Sequence, residues 1–134
     1  YQHEVEELLP FIYPFLHSAA ARSRGQCDTV EFVEGVLDGS LVPYLVYTSQ
    51  GLVGCFTMAV VEYVEKRVAE IVTIAVDAPE DNWLPVVDEV INRFGKTRRC
   101  VEIEGTGRLG WTRALAKLGY KPTFATVGKK VDYA

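Results

Sequence analysis

The residues with the plainest chemical signature are Gly105, Thr106, Gly107, Arg108, Leu109 and Gly110, which spell G-x-G-x-x-G. Glycines at this spacing let a backbone turn tightly and approach a phosphate. The N–H groups that open the following helix then stabilise the phosphate charge. The surrounding sequence supplies a strand before the motif and a helix after it. Asp132 falls near the place of a ribose-binding acid. Only one such unit fits, however, and it follows a strand meander unlike a dinucleotide-binding domain. A narrower reading makes this turn, with Arg108, an anion site. The structural alternative is a tight strand-to-helix turn with Trp111 packed in the core.

The other reactive side chains are sparse. Cys27, Cys55 and Cys100 are odd in number and widely spaced, which argues against a disulfide framework and for reduced thiols. No C-x-x-C pair exists, and His3 and His17 are the only histidines, so no metal site is expected. His17 lies among apolar residues and reads as a structural or surface histidine. Tyr13, Tyr44, Tyr47 and Tyr63 could line a substrate groove, although aromatic residues on strands more often pack. Arg22 and Arg24 stand in a polar turn.

The formal net charge is −4, with acids and bases interspersed, which argues against a nucleic-acid partner. The basic run Lys96-Thr97-Arg98-Arg99 suits a helix C-terminus. No apolar run approaches the roughly 20 residues of a membrane span. One cytoplasmic domain over 1–134, with no membrane partner, is the expectation from length and composition.

Residues 3–22 carry a helical apolar stripe, which Pro10 and Pro14 should kink or split. Asp28 or Thr29 can cap a second helix that ends at Gly39. Three strands follow, over Leu41 to Thr48, Leu52 to Tyr63 and Val68 to Val76. Their short turns make an antiparallel meander. Asn82 can cap a helix with Pro85 in its first turn and Gly95 at its end. A strand over Cys100 to Glu104, a helix over 107–118 and a last strand over Thr123 to Val131 complete the chain. The order α-α-β-β-β-α-β-α-β predicts an α/β (α+β) fold: a mixed sheet, mostly antiparallel, with helices on both faces.

This order resembles the GNAT (Gcn5-related N-acetyltransferase) superfamily, minus an opening strand that a segment before Tyr1 could hold. The third strand, Glu70-Ile71-Val72-Thr73-Ile74-Ala75-Val76-Asp77-Ala78-Pro79, is similar to the GNAT strand that enters a Val-x-Pro step. Leu118-Gly119-Tyr120 is similar to that family's late Gly-Phe step. The resemblance implies an acetyl-CoA-dependent N-acyltransferase acting on a small-molecule or protein amine. It implies that Thr73, Ile74 and Val76 line the pantetheine arm and that Glu70 acts as general base. Gly107 and Arg108 are the candidate replacement for the family's phosphate loop. The loop itself departs from the pattern. Between Val76 and Val86 stand Asp77, Glu80 and Asp81, with no glycine, lysine or arginine. Leu115 stands where a Tyr acid would be expected, and Tyr120 reads as packing. These departures point to a degenerate cofactor loop. They also open an alternative: a non-catalytic GNAT-like phage virion or assembly protein that self-associates or binds other virion proteins. The stretch Gly107 to Trp111 looks like phage-encoded relatives.

Overall fold

The computed structural model describes residues 2–23, 25–106, 110–123 and 127–133. Four helices and four strands follow in the order α1 (Gln2–Ala21), α2 (Thr29–Asp38), β1 (Val42–Thr48), β2 (Gly51–Glu62), β3 (Arg67–Val76), α3 (Leu84–Thr97), β4 (Glu102–Gly105) and α4 (Gly110–Ala116). A short 3-10 turn, Glu80–Asn82, sits between β3 and α3.

The strands form one sheet in the order β1-β2-β3-β4. β1, β2 and β3 are antiparallel neighbours, and β4 lies parallel to β3. Helices cover both faces, as the element order requires. On one face α3 packs Trp83, Leu84, Val87, Ile91 and Phe94 against Val46, Phe56, Met58, Ala69 and Ile71. On the other, Ile12 and Leu16 of α1 and Phe32 and Val36 of α2 enclose Cys55. Each cluster is the apolar stripe of a helix laid on alternate residues of a strand.

The caps of α2 are those expected. The Asp28 side chain accepts a hydrogen bond from the Glu31 N–H at 2.9 Å, and Gly39 takes the left-handed conformation at φ 84°. Elsewhere the structure corrects the sequence reading. Pro10 and Pro14 lie inside α1 and do not split it. Ile12 and Leu16, each 1% exposed, hold that segment on the sheet, so burial outweighs the two lost backbone hydrogen bonds. Asn82 does not cap α3. The cap residue is Trp83, which makes no side-chain cap bond, while its indole N–H donates to the Ala78 carbonyl at 3.0 Å.

Gly95 does not end α3 but is buried within it, where it faces Ala69, Cys100 and Ile103. The chain turns instead through Arg99, at φ 58°. The expected last strand is also corrected. Thr123 and residues 127–131 form no strand, and 124–126 lie outside the described residues. Val127 and Val131 are 92% and 69% exposed, so no buried face fixes a register there. No described helix is long and apolar enough to cross a membrane.

Candidate functional site

β3 and β4 pair over only four positions, Val68↔Glu102, Ala69↔Ile103, Glu70↔Glu104 and Ile71↔Gly105. β4 ends at Gly105, while β3 continues to Val76. From Val72 to Val76, β3 therefore has no strand partner on its β4 side among the described residues. The register of β3 on β2 shifts at the same place. Thr57 pairs with Thr73 and Met58 with Ile71, which leaves Val72 as an extra residue. Such a bulge bends its strand and increases the local twist. The result is a gap between two parallel strands, edged by the part of β3 that has no strand partner there among the described residues.

Glu70 stands just before this gap. Ala69 and Ile71 on either side of it pack toward α3, so alternation places Glu70 on the α1 and α2 face. Its carboxyl is half-buried and held above the usual carboxylate range, first by burial and then by the charge of Glu104 across the strand pair. Glu102 on the same strand is already paired with Lys66, at 2.9 Å. Glu70 could therefore be a base whose proton affinity is raised toward neutrality.

Farther along β3, Ala75, Val76 and Asp77 form one wall of a cavity of about 410 Å³. Pro14, Phe15, Ser18 and Arg22 of α1 and the turn after it form the other wall. Arg22 is the one cation among these lining residues. The acids of the following segment do not cap α3, whose first turn receives no side-chain cap bond.

The predicted residues distribute unevenly around this site. The Thr73 side chain is 5% exposed and shares a 2.7 Å hydrogen bond with Thr57, so only its backbone borders the gap. Ile74 packs toward the α3 core, and Val76 both packs there and lines the cavity. Gly107 and Arg108 lie outside the described residues. Trp111 meets Trp83 edge to face, with ring centroids 6.1 Å apart. Leu115 packs against the α3 core cluster. The Tyr120 hydroxyl donates to Asp88 Oδ1 at 2.7 Å, which ties the segment after α4 to α3.

His17 Nδ1 lies 3.0 Å from Thr29 Oγ1 and links α1 to α2. Tyr44 stacks on Phe56 at 4.9 Å, whereas Tyr13, Tyr47 and Tyr63 are about half or more exposed. The cysteines are free, and burial pushes the Cys55 thiol up to about 12. Among the described residues, no group of three or more His, Cys, Asp or Glu side chains is placed to hold a metal ion.

Sequence reasoning singled out Arg22 but missed Glu104, Gly54 and the wall residues Pro14, Phe15 and Ser18. A Cβ on Gly54 would lie 2.6 Å from the Ala75 carbonyl oxygen, so only glycine lets β2 approach the end of β3.

The whole fold, with its sheet flanked by α1 and α2 on one face and α3 on the other, is similar to that of several solved structures. An aminoglycoside N-acetyltransferase in complex with CoA superposes with a TM-score of 0.71, at 14% identity, over 94% of this chain and 90% of that one. The fold is that of the GNAT acetyltransferases. An acetyltransferase of Trypanosoma brucei gives 0.67 at 13% identity, over 94% of each chain. A predicted acetyltransferase from Clostridium acetobutylicum, solved with acetyl-CoA, gives 0.69 at 11% identity, over 92% of this chain and 90% of that one. By sequence alone, no family model and no curated protein matches the chain.

Proposed function

We propose that this protein is an acyl-CoA-dependent N-acyltransferase with a degenerate cofactor loop. The observation that carries the reading is the gap between β3 and β4, bordered by Val72 to Val76, which have no strand partner on that side among the described residues. A pantetheine arm is an extended chain of amides. It fits such an edge because it can replace the missing strand's hydrogen bonds. The backbone of Thr73, Ile74 and Val76 would hold it there.

Bound acetyl-CoA would supply a thioester. Glu70, when ionised, would take a proton from the acceptor's ammonium, and the neutral amine would attack the thioester carbonyl. A residue held above the usual carboxylate range is better matched to that proton than an ordinary glutamate. Leu115 offers no proton to the leaving thiolate, so water would supply it.

The phosphate end fits less well. The uncapped first turn of α3 offers N–H groups. Asp77, Glu80 and Asp81 oppose an anion approaching them. Arg108, with Gly107, is our candidate for the compensating cation, and the acceptor is an amine of a small molecule or protein. The acidic segment also favours a second reading, a GNAT-like scaffold kept without catalysis, such as a virion component. Melting with and without millimolar acetyl-CoA separates the two, because a ligand that binds only the native state raises the midpoint. A rise is expected, and an unchanged midpoint sinks the acyltransferase reading.

A further inference from the structure

A second groove lies away from the β3–β4 gap, where the C-terminal half of α3 crosses β1. Tyr44, Val90, Arg93, Phe94, Thr97 and Arg98 line it, and its volume is about 150 Å³. None of these residues belongs to β3 or β4. Val90, Phe94 and the Tyr44 ring are apolar surface. Arg93, Arg98 and Thr97 are the polar groups of the lining.

Arg93 and Arg98 both line this small groove, and none of its lining residues carries a carboxylate. Ion pairs among the described residues engage Lys66 and Arg67, not Arg93 or Arg98. Glu89, one turn before Arg93, is not within ion-pair distance of it. Arg98 is held in place: its guanidinium carbon sits 3.8 Å above the Phe94 ring, and Nη1 donates to the Phe94 carbonyl at 3.5 Å. That arrangement is a cation–π contact that leaves the other N–H donors of Arg98 free for a ligand. Two like charges in one groove repel, and the chain's net charge is −4, so this concentration of positive charge is local.

We infer that this groove is a binding site for a small oxyanion, a phosphate or carboxylate group, carried on a compact apolar body. The guanidinium pair would hold the anion through charge-assisted hydrogen bonds, with Thr97 and Tyr44 also in the lining. The apolar body would lie on Phe94 and Val90. At about 150 Å³ the groove is small, which suits a single ring with one anionic group rather than a nucleotide. The inference does not depend on acyl-CoA binding.

The test uses the whole chain and two probes, phenyl phosphate and benzoate, with phenol as the uncharged control. Binding is read by NMR from the Arg side-chain N–H signals and the backbone amides of α3 and β1. Shifts confined to this groove are expected with one or both anions and not with phenol. The probe that shifts the signals more identifies the anion class. Arg93→Gln should weaken binding roughly tenfold, the loss of one charge-assisted bond. Arg98→Lys keeps the charge, loses the planar fork and should also weaken it. Lys96→Gln removes an equal charge outside the lining and should leave the affinity near that of the parent. No binding by either anion overturns the inference. Equal weakening by Arg93→Gln and Lys96→Gln also overturns it, because a diffuse surface field would then be the whole effect.

Discussion

The hydroxyls of Thr57 and Thr73 meet at 2.7 Å between β2 and β3, beside the bulge that begins the strand gap. Both residues are buried, at 0% and 5% exposure, so each hydroxyl depends on the other. Removing one leaves its partner unsatisfied in the interior, which costs about 1–3 kcal/mol, whereas removing both leaves nothing orphaned. Thr57→Val and Thr73→Val should each lower stability by that amount in denaturant titration. The double variant should be less destabilised than the sum of the two. Simple additivity would mean that the pair is not coupled.

Glu70 gives a prediction with a definite sign. Burial and the Glu104 charge both favour its protonated form, so its folded-state proton affinity exceeds the unfolded one. The stability it contributes is present below the ordinary carboxylate range and is lost as pH rises through the raised value. Glu70→Gln mimics the protonated form. Its melting midpoint should therefore exceed the parent's at pH 8 and match it near pH 4. Acyl transfer, where assayed, should fall by about 10²–10⁴ with the loss of a general base. In the parent, the acid limb of kcat/KM should lie above the ordinary carboxylate range. Glu104→Gln should move that limb to lower pH, and an unmoved limb would remove Glu70 from the role of base.

Much of this fold was legible because local signals agreed with one another. Asp28 and Gly39 bracket α2, glycine and polar residues mark the hairpin turns, and the stripe from Val87 to Phe94 has the period of a helix. The failures share a cause. Pro10, Pro14 and Gly95 act locally as helix breakers, but tertiary contacts overrule them. No local pattern reveals that Glu104 faces Glu70, because strand register is set by packing across the whole sheet. Val76 and Glu70 could be nominated from the strand they share. The cavity wall from Phe15 and Ser18, more than fifty residues earlier, could not.

Two glycines should respond in opposite directions to alanine. A Cβ on Gly54 would meet the Ala75 oxygen at 2.6 Å and the Val76 Cα at 2.7 Å, both backbone atoms that cannot step aside. Gly54→Ala should cost about 1–3 kcal/mol and disturb the end of β3. A Cβ on Gly95 would have its nearest neighbours at 3.8 to 3.9 Å, an ordinary contact, and Gly95 is helical. Gly95→Ala should gain up to about 1 kcal/mol from helix propensity. Thermal melts of the two variants check both, and a stable Gly54→Ala would contradict the close β2–β3 approach.

The acidic segment before α3 yields the prediction most directly tied to function. No side chain caps α3, so the acids there are not needed for that role. Each like-charge pair about 4 Å apart costs roughly 1 kcal/mol in bulk water, and more beside a low-dielectric surface. If CoA phosphates reach this end of β3, the triple variant Asp77→Asn, Glu80→Gln, Asp81→Asn should bind CoA about fivefold or more tightly per neutralised neighbour. Titration calorimetry at low and high salt checks this, because a screened repulsion shrinks the gain as salt rises. A fragment that stops at pantetheine carries no phosphate and should bind parent and variant alike. Equal CoA affinity for parent and variant, with binding intact, would place the phosphates away from α3 and leave the turn containing Arg108 as their site.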